Sequence, residues 1–131
     1  MPKTIQQTVV LPAPPAKLYS MYMDAKTHAA FTGGVATIGR KPGMAFRAFG
    51  GMLTGTILQT VPNKLIVQSW RASHWNKNDL DSTLVLSFRP DPKGGRIHLV
   101  HVNVADHDYD DVKVGWRIYY WTPWRKYLAR K

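Results

Sequence analysis

The residues best equipped for chemistry in this chain are histidines set close to aspartates. His28 follows Asp24 on the same segment, and the stretch HLVHVNVADHD gathers His98, His101 and His107 with Asp106 and Asp108. Imidazole and carboxylate together can hold a divalent metal, but such a site needs three or more ligands converging on one point. On a regular strand side chains alternate between faces, so His98 and His101 point to opposite sides unless a bulge intervenes. Surface loop histidines and helix-capping aspartates are the expected account, with no metal site. Nucleophilic chemistry has no better footing: there is no cysteine, no G-x-S-x-G and no glycine-rich phosphate loop ahead of a helix. Asp110 and Asp111 are neighbours at a helix start rather than partners across a cleft. No cofactor motif is read, and a catalytic role is not expected.

A second pointed stretch closes the chain. GWRIYYWTPWRKYLARK carries six aromatics, five basic residues and no acid. Aromatics interleaved with Lys and Arg suit single-stranded nucleic acid, where bases stack and phosphates pair. Helical spacing argues differently. At roughly 100° per residue, Val112, Trp116, Tyr119, Tyr120, Pro123 and Tyr127 fall in one sector, with Val114, Ile118, Trp121 and Leu128 opposite. A helix that is apolar nearly all round is a buried one. Acids at Asp106, Asp108, Asp110 and Asp111 precede it, and Arg125, Lys126, Arg130 and Lys131 end it, both placements that complement a helix macrodipole. The stretch therefore reads as a core helix with a basic exit, and nucleic acid is disfavoured as a partner. Pro123 removes the N–H that would bond to the Tyr119 carbonyl, so a kink is expected there.

The elements that must position these residues follow from punctuation along the chain. KTIQQTVVL reads as a strand ending at Pro12, and Pro14 and Pro15 suit the first turn of a helix. Leu18, Met21, Tyr22, Ala25 and Ala29 give one apolar face, broken near Asp24 into two short helices that Gly33 and Gly34 end. VATI, MAFRAF, MLTGTILQTV, KLIVQSW, STLVLSF and RIHLVHV follow as strands, separated by turn residues. Sequential hairpins make an antiparallel meander. In STLVLSF, Leu84, Leu86 and Phe88 alternate with Thr83, Val85 and Ser87, so one face is buried; in RIHLVHV, Ile97 and Leu99 compete in phase with Val100 and Val102, which predicts a bulge. The order strand, two helices, six strands, long helix predicts an α+β fold with a sheet curved around the last helix.

Length and charge bound the rest. The 131 residues suit one domain, 1–131, with a core large enough to need no cross-links. No apolar run approaches the roughly 20 residues of a membrane span. The N-terminus lacks the layout of a secretory signal, so a cytoplasmic location is the default. The net charge of +10 is unevenly spread: residues 79–111 hold seven of the eight acids, and Glu is absent. A basic surface favours anionic partners, whether acidic proteins, nucleic acid, anionic lipid or an anionic small molecule, and does not choose among them.

With these elements placed, the chain resembles the helix-grip, START-like (SRPBCC) superfamily. Within it, the chain is similar to the C-terminal domain of the heat shock protein 90 ATPase activator family. LYSMYMDAKTHAAFTGGVATI, GMLTGTILQTVPNKLIVQSWR and VGWRIYYWTPWRKYL carry the resemblance. It implies a seven-stranded antiparallel sheet wrapped around the C-terminal helix, with a cavity between them closed by the two short helices. Relatives use such cavities for lipids, hormones, polyketides and other hydrophobic ligands. The eukaryotic activator adds a separate chaperone-binding domain, for which 131 residues leave no room. The expected function is thus a binding module for a small hydrophobic or aromatic ligand. Phe31, Phe46, Trp70, Leu84, Leu86, Trp116 and Tyr120 are the expected cavity wall, as apolar linings of such sites require. The alternative is a chaperone-associated or other protein-binding accessory domain.

Overall fold

The structure, a computed structural model, describes residues 1–130. Seven antiparallel strands form one curved sheet in the order β1-β7-β6-β5-β4-β3-β2. They are β1 (Lys3–Leu11), β2 (Thr37–Ile38), β3 (Ala45–Ala48), β4 (Leu53–Val61), β5 (Leu65–Ala72), β6 (Ser82–Asp91) and β7 (Gly94–Val104). Two short helices, α1 (Pro15–Met23) and α2 (Ala25–Thr32), follow β1. The C-terminal helical run comprises α3 (Tyr109–Gly115), a π turn (Trp116–Trp121) and α4 (Thr122–Ala129). Lys131, expected in the basic exit, lies outside the described residues.

Local chemistry explains the helix boundaries. Pro14 is the N-cap of α1 and Pro15 occupies its first turn, where a missing N–H costs nothing. Asp24 leaves helical geometry and caps α2, accepting from the Thr27 N–H at 3.2 Å and its hydroxyl at 2.6 Å. Gly33 ends α2 at φ 80°, a left-handed conformation that glycine adopts freely. In β6 the alternation is as the sequence predicts, with Leu84, Leu86 and Phe88 buried and Thr83, Val85 and Ser87 half-exposed.

Strand β7 resolves its competing phases in favour of Ile97, Leu99 and His101, all buried. The predicted bulge exists but comes later. Against β1, Lys3 pairs with Val104 and Ile5 with His101, so the extra residue falls at Val102–Asn103, where Asn103 has φ 61°. That insertion returns Val104 to the core.

The last helix corrects two expectations. Just before Pro123, the Thr122 N–H reaches back to the Arg117 carbonyl, five residues away, and the backbone stays helical through the junction. A π turn takes more residues per revolution than an α turn. Rotation per residue falls across it, which brings Trp121 onto the buried side and leaves Tyr119 outside, the reverse of the straight-helix projection. The helix is also not buried all round, since Val114, Ile118 and Tyr119 are exposed.

One contiguous core lies between the sheet and the helices. Helix α1 rests on β6 and β7, and α2 on the C-terminal helix. Phe31 stacks on Trp124 at 4.3 Å between ring centres, and Phe46 stacks on Tyr22 at 5.9 Å. The outermost strand is tied to the last helix: Gln7 Oε1 accepts from Trp121 Nε1 at 2.8 Å, while Gln7 Nε2 donates to the Lys113 carbonyl at 2.9 Å. Arg125 donates to the Val10 carbonyl on the same strand at 2.9 Å.

Candidate binding groove

Two polar chains run through this core, each anchored by a buried histidine. Trp116 Nε1–H donates to His101 Nδ1 at 3.2 Å, so the imidazole proton sits on Nε2 and is donated to Ser82 Oγ at 2.8 Å; that hydroxyl in turn donates to the Trp70 carbonyl at 2.7 Å. In the second chain His28 Nδ1–H donates to the Tyr22 carbonyl at 2.8 Å, which leaves Nε2 to accept from the Tyr120 hydroxyl at 2.9 Å. The Tyr22 hydroxyl donates to Gln68 Oε1 at 2.5 Å. The two histidines thus hold opposite tautomers. Burial holds both neutral, pushing the pKa of His101 down to about 3 and that of His28 down to about 4 against the opposing pull of the Tyr22 carbonyl. Burial likewise raises the Tyr120 and Tyr22 hydroxyls, so neither ionises.

Surface histidines were the expectation; His28 and His101 are instead fully enclosed. Their composition gave no warning, because an imidazole flanked by apolar residues looks the same whether its partners are water or Tyr120 and Ser82. His98 faces out, as alternation requires, and bonds to Thr8 at 2.9 Å. The bulge lies beyond His101 and does not reunite the pair. Among the described residues no three His, Cys, Asp or Glu side chains are grouped to hold a metal.

These networks fix the aromatic wall of a groove of about 430 Å³ between the sheet and the C-terminal helix. Trp70 and Ala72 from β5, Leu53 from β4, and Val112, Trp116 and Tyr120 from the helix form its floor and sides. Trp116 is locked by its bond to His101 and by stacking on Trp121 at 5.6 Å; Tyr120 is locked by His28. Phe49, another wall residue, sits at φ 52° and packs edge-on against Tyr119 and Tyr120. A left-handed phenylalanine is a strained conformation of the kind that gathers at functional sites. The mouth is apolar and open: Met52 is 61% exposed, Tyr119 58% and Ile118 49%.

Of the seven residues predicted as wall, Trp70, Trp116 and Tyr120 border this groove. Phe31, Phe46, Leu84 and Leu86 are packed in the core beneath the sheet and helices. Neither α1 nor α2 contributes to the groove, because the space under them is filled by Tyr22, Phe31, Phe46 and Trp124. Sequence reasoning passed over Met52, which precedes β4, and over Ile118 and Tyr119, which lie within the π turn. It also passed over His74 and the burial of Asp108. Asp108 caps no helix N–H; its Oδ2 accepts from Trp75 Nε1 at 2.7 Å and His74 Nε2 at 3.0 Å.

Comparison with known proteins agrees with this architecture. A solved structure titled as PFC0360w, an HSP90 activator from Plasmodium falciparum, superposes with a TM-score of 0.85 at 24% identity over 96% of each chain. Protein MLL2253 from Mesorhizobium loti gives 0.84 at 20% identity over 98% of each chain. The Aha1 dimer from Colwellia psychrerythraea gives 0.74 at 14% identity over 91% of each. At these identities the likeness is one of fold. A curated relative, uncharacterized protein C1711.08 of Schizosaccharomyces pombe, is 34% identical over 71 residues, which is 54% of this chain and 21% of that protein. The chain thus spans about a fifth of that relative's length. No helix among the described residues is long and apolar enough to cross a membrane. Residues 12–129 match the family described as activator of Hsp90 ATPase homolog 1-like protein, and the chain belongs to that family, with its helix-grip fold.

Proposed function

We propose that the chain is a binding module whose groove takes a small hydrophobic or aromatic ligand. The observation that carries this reading is an apolar groove of about 430 Å³ whose aromatic walls are pre-set by buried hydrogen bonds. Pre-set walls reduce the ordering cost of binding, and apolar lining with few polar groups suits small molecules. Mass measured under native and denaturing conditions tests it: an excess mass lost on denaturation is expected, and Ile118→Arg, which sets a charge at the mouth, should abolish it. Failure of the native protein to carry or take up any neutral aromatic probe would count against the reading.

Membership of the family supports a second reading, a protein-binding accessory domain acting on heat shock protein 90. The similar Plasmodium protein is titled as an activator of that chaperone. Exposed Arg117, Arg125 and Lys126 on the last helix supply a basic face for an acidic partner. Stimulation of the chaperone's ATPase by the purified chain, weakened by salt, is the outcome expected of this reading.

A further inference from the structure

The groove has a polar end with unused hydrogen-bonding capacity. Asp108 is only 6% exposed, and both of its protein partners, Trp75 and His74, bond to Oδ2. Among the described residues nothing donates to Oδ1. Beside it, Trp70 is 5% exposed, and its Nε1–H is the one enclosed side-chain nitrogen or oxygen among the described residues without a partner. Trp70 and Asp108 both line the groove, and the Trp70 ring lies 5.5 Å from that of Trp75, which bonds to Asp108. Buried polar groups are nearly always paired, and an unpaired one calls for an explanation.

Charge points the same way. Asp108 and the exposed Asp111 both line the groove, whereas no Lys or Arg does, in a chain of net charge +10. Low-dielectric walls strengthen a carboxylate's attraction for a cation. The faces of Trp70 and Trp116 attract one as well.

On the reading of the groove as a ligand site, we infer that its ligand is an aromatic amine carrying an oxygen acceptor. The protonated nitrogen donates to Asp108 Oδ1 within reach of the Asp111 charge. The ring lies against Trp116 and Ile118, and the oxygen accepts from Trp70 Nε1–H. The basic residues therefore do not select an anion at this site.

The test uses the 131-residue chain, labelled with nitrogen-15, and three probes of one shape: 6-methoxy-2-naphthylmethylamine, the matching alcohol and the matching carboxylate. The five tryptophan indole N–H resonances are followed during titration at pH 7, that of Trp70 being identified by its loss in Trp70→Phe. The amine should bind about tenfold tighter than the alcohol, and the carboxylate weakest, as expected of a charge-assisted hydrogen bond. The Trp70 and Trp75 signals should move. Asp108→Asn should bring amine and alcohol to within about twofold. Because that change also disturbs Trp75 and His74, the exposed Asp111→Asn is run beside it and should weaken the amine about two- to threefold. Equal binding of amine and alcohol, or tightest binding of the carboxylate, overturns the inference and leaves the groove reading intact. So does an amine affinity unchanged by both variants. If no probe moves any indole signal, both readings fall.

Discussion

Acidification should destabilise this protein well before its carboxylates titrate, because two histidines are buried neutral. In the unfolded chain both titrate near pH 6.5, whereas in the folded protein burial holds His28 near 4 and His101 near 3. A folded pKa below the unfolded one means that the unfolded state takes up the proton first. The contribution is fully present above about pH 6.5 and is lost as pH falls towards the folded values. Each histidine then costs about 1.4 kcal/mol per pH unit, so the pair removes about 3–4 kcal/mol between pH 7 and pH 5. That is a large share of a typical total of about 5–15 kcal/mol. Other groups do not mask it. His107, paired with Asp79, has a raised pKa, so its stabilisation grows as pH falls from 7 towards the unfolded value and offsets a minor part of the loss at this exposed pair. Asp24, Asp79 and Asp91 are held below the usual carboxylate range by Thr27, by His107, and by the Lys93 N–H with Arg96, and their stabilisation is lost only at lower pH. Denaturant titrations followed by tryptophan fluorescence at pH 7, 6 and 5 would read the slope. His101→Gln, by removing one titrating group, should halve it. A midpoint that stays level between pH 7 and pH 5 would refute the premise that both imidazoles are enclosed and neutral.

Two further outcomes are expected. Trp116→Ala should cost about 3–5 kcal/mol, since it empties a large core volume and strips His101 Nδ1 of its donor; thermal melts of the purified variant would measure it. Gly55→Ala should prevent soluble expression or lower the melting temperature sharply: its methyl would sit 1.9 Å from the Ser69 carbonyl, and that backbone is fixed by the pairing of β4 with β5.

Much of the fold was legible because local rules decided it. The Pro14–Pro15 start, the Asp24 break, the Gly33 stop and the alternation of Leu84, Leu86 and Phe88 each rest on contacts within a few residues. The groove was only partly legible. Trp116 could be placed because it opens the π turn, where the projection of the preceding helix still holds, and Tyr120 keeps its projected buried side. Tyr119 and Trp121 could not, since their directions depend on the five-residue hydrogen bond from Thr122 to Arg117. The buried histidines escaped for another reason. Tyr120 lies 92 positions from His28 in sequence, and no periodicity connects them. Asp108 was read as a helix cap because acids favour helix starts; the loop that brings Trp75 and His74 over it set its role instead.

The ties between β1 and the last helix bear on how the protein is made. Gln7 meets Trp121 and Lys113, and Val10 meets Arg125, across separations of 106 to 115 residues. The strand synthesised first pairs with the strand synthesised last, and both wait for the helix that follows β7. Contacts of such high sequence separation must pay loop closure before they reward it, and they fold slowly. A nascent chain still holding its C-terminal segment inside the ribosome has no lid for the sheet's inner face. Until that helix emerges, Ile5, Leu84, Leu86, Ile97 and Leu99 lack the cover they have in the folded protein, and uncovered apolar surface of this kind is prone to aggregate.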